Sequence, residues 1–202
     1  MNLKIPNLSR NEIESIINHH LEHYGNSFKS DLKVTGIGIR GYFLDSIGLA
    51  NRNELNVWDD VIAWHSPRDN GPFAGNTDPS FEVKDGRGLA KLNLGVYQFA
   101  IGHHKKVAKA FRAYPEGVKL PCTRNGKPST CSFIDIHPGG IGTWSEGCQT
   151  LPPVNWEKFQ PQVYGELAFY NQKLINYILI ENRRDEHGKQ QFFDQGGRVI
   201  QL

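Results

Sequence analysis

At 202 residues, with 38% hydrophobic, 11% aromatic and 22% charged residues, the chain has the composition of an ordinary globular protein with one sizeable core. A net charge of only +2, with basic residues scattered apart from "HHKK" at 103–106, excludes the basic stripe of a nucleic-acid binder. No run approaches the roughly 18 apolar residues of a membrane span. The opening "MNLKIPNLSRNEIESIINHH" has neither an apolar h-region nor a small-residue cleavage site, so neither membrane insertion nor a signal peptide is expected.

The first predicted element is a helix. Ser9 to Glu12 forms an S-x-x-E capping box, and Ile13, Ile16, Ile17, His20, Leu21 and Tyr24 then share one face until Gly25-Asn26 stops it. Residues 1–30 are assigned to this helical segment and 31–202 to a single β-rich domain. From residue 33 the pattern turns to period two, predicting strands at 33–43, 60–66, 95–104, 118–122 and 131–137. The intervening "SPRDNGPFAGNTDPS" (66–80) reads as a long loop. Pro152-Pro153 predicts a short helix over "VNWEKF", and a second helix is expected over 162–173. Strands at 175–181 and near "GRVIQL" complete a mostly β fold with an N-terminal helix and short C-terminal helices.

The three cysteines divide by context. Cys122 and Cys131 flank "TRNGKPST", whose Asn125-Gly126 is a hairpin-turn signal. Strands leaving that turn either bring the sulfurs opposite each other for a disulfide or carry two reduced thiols. Cys148 is left over. It closes "IDIHPGGIGTWSEGCQT" (134–150), a glycine-rich stretch with His137 near its start. A thiol of pKa about 8.5 is mostly protonated at neutral pH, and a neighbouring imidazolium lowers that value into about 3.5–7.5. A histidine within reach and backbone N–H donors for an oxyanion make such a thiol a nucleophile. The turn-forming glycines allow His137 and Cys148 to meet at adjacent strand ends, and Gly147 gives the main chain close access beside the sulfur. Glu146 is unhelpful to a thiolate, so distance or solvent must weaken it. The same residues also fit a plain turn with a buried free thiol. A zinc site from Cys122, Cys131, His137 and Cys148 has no C-x-x-C or H-x-x-x-H pair to preorganise it, so no metal or cofactor is assigned.

"IHPGGIGTWSEGC" resembles the active-site segment of the L,D-transpeptidase (YkuD-like) family, an upstream histidine followed by an S-H-G-C-type block. The resemblance spans roughly residues 33–181 and is specific near 136–148. It implies a β-sandwich-like catalytic fold over 31–202, with Cys148 as nucleophile and His137 as its base. Ser145 and Gly147 match the positions that shape the oxyanion site, with Gln149 beside them. His103 and His104 at the end of a strand, Tyr114 and Trp144 are candidate supporting residues, with His103, Tyr114 and Trp144 as the expected substrate contacts. The chain departs from the pattern in carrying Glu146 for the usual histidine, Pro138 after His137, a shorter interval and no basic residue after Cys148. Within the family it looks most like phage-borne and interbacterial-toxin members.

The reaction implied is attack on a peptidoglycan stem peptide with loss of its terminal D-residue. The resulting thioester goes to water (L,D-carboxypeptidase) or to an amine (L,D-transpeptidase or D-amino-acid exchange), without a metal. The place of action implied is the periplasm or cell wall of a target cell, with secretion machinery or an immunity protein as possible partners. The competing expectation is a non-catalytic wall-binding or virion module that keeps the fold.

Overall fold

Helix α1 (Arg10–Tyr24) starts where its capping box puts it. The Ser9 hydroxyl accepts the Glu12 N–H at 3.3 Å, and the Ser9 N–H donates back to the Glu12 carboxylate at 2.7 Å. The computed structural model describes residues 3–43, 57–78, 88–105, 108–140, 142–143 and 145–202. Its strands are β1 (Thr35–Arg40), β2 (Asp60–His65), β3 (Asn70–Gly75), β4 (Lys91–Leu92), β5 (Gly95–His104), β6 (Ala108–Ala113) and β7 (Leu120–Arg124). They continue with β8 (Lys127–Cys131), β9 (Asp135–Pro138) and β10 (Gln149–Leu151), then, after helix α2 (Pro153–Phe169), β11 (Leu174–Arg184), β12 (Gln190–Phe193) and β13 (Val199–Ile200). The protein is mostly β.

The larger sheet has ten strands in the order β10-β9-β6-β5-β11-β1-β2-β3, with β12 and β13 continuing from β11; β4, β7 and β8 form a second, three-stranded sheet. The large sheet is mixed, because β1 runs parallel to β11 and β9 parallel to β10. Its first and last strands meet where Asn76 and Thr150 exchange two backbone hydrogen bonds of 2.8 Å, so the sheet closes at that corner.

Period-two alternation decides what each face covers. Ile37 and Ile39 of β1, Val61 and Ala63 of β2, and Ile178 and Ile180 of β11 pack with Ile13 and Ile16 of α1 in one core. The other face sends Ile62, Trp64, Tyr97, Phe99, Phe111, Tyr177 and Leu179 against Phe159, Val163 and Leu167 of α2 and Leu92 and Cys122 of the small sheet. Tyr177 fits because β1 carries glycine opposite it. A Cβ on Gly38 would stand 2.1 Å from the Tyr177 hydroxyl.

Several predicted elements change. The stretch 66–80 is not one long loop: residues 70–75 form β3, hydrogen-bonded along β2. Gly71, Pro72 and Gly75 hide this strand from period-two reading, and Pro72 is tolerated on a strand at the end of the sheet order. The expected pair of C-terminal helices is the single α2, which runs through Pro161. Pro161 lies on the exposed side, where the Glu157 carbonyl it leaves without a partner N–H belongs to another exposed residue. Strands β6 and β12 were not anticipated. Of the two alternatives for Cys122 and Cys131, the structure shows the reduced thiols. The Asn125-Gly126 turn forms with both residues at positive φ (49° and 74°), but Cys122 stands opposite Ser129 and Cys131 opposite Leu120, and both are buried free thiols. The register is offset by one alternate pair, so the sulfurs are diagonal.

His20 is wholly buried under α1, its Nδ1–H donated to the Ile16 carbonyl at 2.8 Å. Burial holds its pKa down to about 4, opposed by the Ile16 hydrogen bond and by Asp194 and helped by His19 and His23. A group whose charge the fold disfavours contributes full stability above its unfolded value of 6.5 and loses it as pH falls towards 4. His20→Gln is therefore expected to flatten the acid loss of stability by about 1–2 kcal/mol between pH 7 and pH 5, read from urea unfolding. Parallel pH dependence in parent and variant contradicts this role for His20.

Candidate active site

Strand β9 alternates cleanly. Ile134 and Ile136 enter the core, so Asp135 and His137 share the opposite face. Strand β10 pairs parallel with Gln149 opposite Ile136 and Thr150 opposite His137. One residue before this register Cys148 falls beside Asp135, whose N–H donates to Cys148 Sγ at 3.4 Å. The thiol in turn points its proton at the Phe133 carbonyl, 3.7 Å away. Between the strands the chain turns back on glycine. A Cβ on Gly139 would lie 2.5 Å from the Trp58 ring, and the Gly139 N–H donates to Leu151 at 2.7 Å, tying the loop to β10.

This brings His137 and Cys148 together and adds His104 from the end of β5. One ring nitrogen of each histidine and Cys148 Sγ all lie within 4.8 Å of one another. The two imidazoles stack, with centroids 3.9 Å apart and planes 18° from parallel. His137 Nδ1 lies 2.7 Å from the Pro138 carbonyl. A carbonyl only accepts, so Nδ1 carries the proton and the Nε2 lone pair of the neutral ring is left to act as base. His104 Nδ1 likewise donates to Asp135 Oδ2 at 2.7 Å, and Arg112 Nε donates to Asp135 Oδ1 at 3.2 Å.

The electrostatics reverse one expectation. Burial pushes the Cys148 thiol up to about 12, and the Asp135 carboxylate adds to the rise. Burial also holds His137 down to about 4, with His104 adding to it. The resting pair is neutral thiol and neutral imidazole, not a preformed thiolate–imidazolium pair, because neither charge is adequately solvated there. Glu146 is exposed and is a minor contributor, its carbonyl engaged by the Ala90 N–H at 2.8 Å.

The other expected site residues separate. Ser145 is buried beside Cys148, its hydroxyl donating to the Cys148 carbonyl at 2.7 Å and accepting the Gly147 N–H at 3.0 Å. It braces the turn. The Gly147 N–H is thereby engaged by Ser145, a different partner from the expected oxyanion. Gln149 faces inward, its amide donating to the Thr77 carbonyl at 3.1 Å and accepting the Tyr177 hydroxyl at 2.9 Å, so it anchors β10 instead of lining the site. His103 and Tyr114 line a groove of about 440 Å³ with Arg112 and Glu116, and Cys148 is not among its walls. Trp144 lies outside the described residues.

The sequence named His104 beside His103 without choosing between them, and it did not assign Asp135, Arg112 or Phe133 to the site. Alternation in "FIDIH" already places Asp135 with His137, and alternation in "GHH" sets His104 apart from His103. Phe133 gave no such signal. It is 60% exposed with φ +58°, a strained conformation for a bulky residue, and its carbonyl faces the thiol. No known family model, curated protein or solved structure matches the chain.

Gly147 is required by packing. A Cβ there would stand 2.9 Å from the Ala90 carbonyl and 3.0 Å from Ile134, whereas Gly140 in the same loop has open space. Gly147→Ala is expected to destabilise by about 1–3 kcal/mol in urea unfolding while Gly140→Ala stays close to the parent. Equal effects at the two glycines contradict this packing role.

Proposed function

We propose that the protein is a cysteine acyltransferase of the L,D-transpeptidase type, cutting or exchanging the terminal D-residue of peptidoglycan stem peptides. The supporting observation is the placement of Cys148 beside a histidine whose Nδ1 is fixed on the Pro138 carbonyl, within a segment that resembles that family's active site. The mostly β architecture is compatible with that family's catalytic fold.

In this reading the substrate carbonyl approaches Sγ from the open side of half-buried Cys148. His137 Nε2 takes the thiol proton as the S–C bond forms, so the two charges appear together in the transition state. The Pro138 carbonyl holds Nδ1–H and steadies the imidazolium. That imidazolium then protonates the leaving amine as the C–N bond breaks. Water releases the shortened stem from the thioester, and a D-amino acid or a second stem gives exchange or crosslinking. A thiol held protonated between turnovers is also protected from oxidation and from indiscriminate electrophiles. The proposed place of action is the periplasm or cell wall of a target cell, reached by secretion machinery or phage lysis.

The test is mass spectrometry of muropeptides incubated with chelator-treated protein. The parent is expected to remove the terminal D-residue, Cys148→Ala to be inactive with nearly unchanged thermal unfolding, and His137→Ala to lose about 10²–10⁴-fold in rate. Turnover that survives in Cys148→Ala overturns the reading, as does a folded parent that leaves all stem peptides intact.

A further inference from the structure

The grouping of His104, His137 and Cys148 has a second chemical meaning, independent of any stem-peptide activity. Two imidazoles and a thiol from three strand ends converge on one point, each ligand atom within 4.8 Å of the others. A tetrahedral zinc ion with bonds of about 2.0 Å to nitrogen and 2.3 Å to sulfur needs separations of about 3.3–3.5 Å. The present spread is about 1.5 Å or less from that arrangement.

The surroundings of both rings fit metal ligation. His137 Nδ1–H is held by the Pro138 carbonyl and His104 Nδ1–H by the Asp135 carboxylate, each at 2.7 Å. A carbonyl or carboxylate on the far nitrogen fixes the tautomer and raises the basicity of Nε2, as is usual for zinc-bound histidine. Asp135 is itself held by Arg112. His104 and Cys148 are only half-buried, which leaves one side open for a fourth ligand.

We propose that His104 Nε2, His137 Nε2 and Cys148 Sγ form a binding site for a thiophilic divalent cation, Zn²⁺, with water in the fourth position. The thiol proton is released to solvent as the S–Zn bond forms, and both imidazoles bind as neutral donors through Nε2. The thiolate balances one of the two positive charges, and the Asp135 carboxylate, shared with Arg112, lies behind His104. Loading requires the stacked rings to splay, since an ion lies in the plane of each imidazole it bonds. It also occupies both the sulfur and the basic nitrogen, so the metal-loaded protein is blocked for cysteine chemistry.

The test is titration of chelator-stripped protein with Zn²⁺ against a chromophoric chelator, and with Co²⁺ by absorption. One Zn²⁺ per chain is expected, with a near-ultraviolet thiolate-to-cobalt band that disappears in Cys148→Ala. His104→Gln, checked for folding by circular dichroism, is expected to weaken Zn²⁺ at least about 10-fold, and Asp135→Asn about 10–100-fold. Cys122→Ser with Cys131→Ser is expected to leave binding unchanged. Absence of stoichiometric binding by the parent, or affinity unchanged in both Cys148→Ala and His104→Gln, overturns the site. These readouts involve no stem peptide, so they fail or succeed separately from the acyltransferase reading.

Discussion

Everything at the site depends on two short strands lying parallel, β9 and β10, in one register. A shift of a single residue would turn Cys148 away from Asp135 and send Gln149 out of the core. Strands this short do not hold a register by ladder hydrogen bonds alone. Here three further ties pin β10. Thr150 exchanges hydrogen bonds with Asn76, Leu151 receives the Gly139 N–H, and Gln149 spans the Thr77 carbonyl and the Tyr177 hydroxyl. The 76–78 segment is itself held from below, because buried Arg40 pairs with Asp78 and donates to Thr77, and Asp60 accepts the Thr77 N–H and hydroxyl. Burial and the neighbouring Asp78 raise Asp60 above the usual carboxylate range, the electrostatic cost of this buried lattice. The part of the fold that looks most polar inside is therefore the part that fixes the candidate nucleophile.

The same burial sets the chemical character of the pair. A cysteine and a histidine near each other in an exposed cleft stabilise each other as ions. In this protein desolvation is the leading contribution at both groups, and it acts in opposite senses on a thiol and an imidazole. The result is a cysteine–histidine pair that carries no charge at rest and develops it only when a substrate carbonyl is there to receive the sulfur. A soft cation brings its own charge and meets the same neutral donors, which is why one cluster supports both an acyl-transfer reading and a metal-binding one.

Much of this was legible in the sequence. The capping box located α1, period-two alternation located β1, β2, β5 and β11, and Asn125-Gly126 located the β7–β8 turn. The nearness of His137 and Cys148 followed from glycine between two strand ends. Other features were hidden for physical reasons. Strand β3 carries Gly and Pro where alternation should show, and α2 continues through a proline whose missing hydrogen bond faces outward. The inward turn of Gln149 depends on Thr77 and Tyr177, far away in the chain, and no local pattern reports it. His103 and His104 are adjacent in sequence and on opposite sides of one strand, so choosing between them required the register of β5 against β6.

The most direct test of Cys148 as an acyl-accepting nucleophile is intact-mass measurement of the chelator-treated protein after exposure to a carbapenem. A single covalent adduct is expected, mapping to Cys148, absent from Cys148→Ala and formed more slowly in His137→Ala. A folded parent that forms no adduct, or an adduct that maps to Cys122 or Cys131, contradicts the assignment.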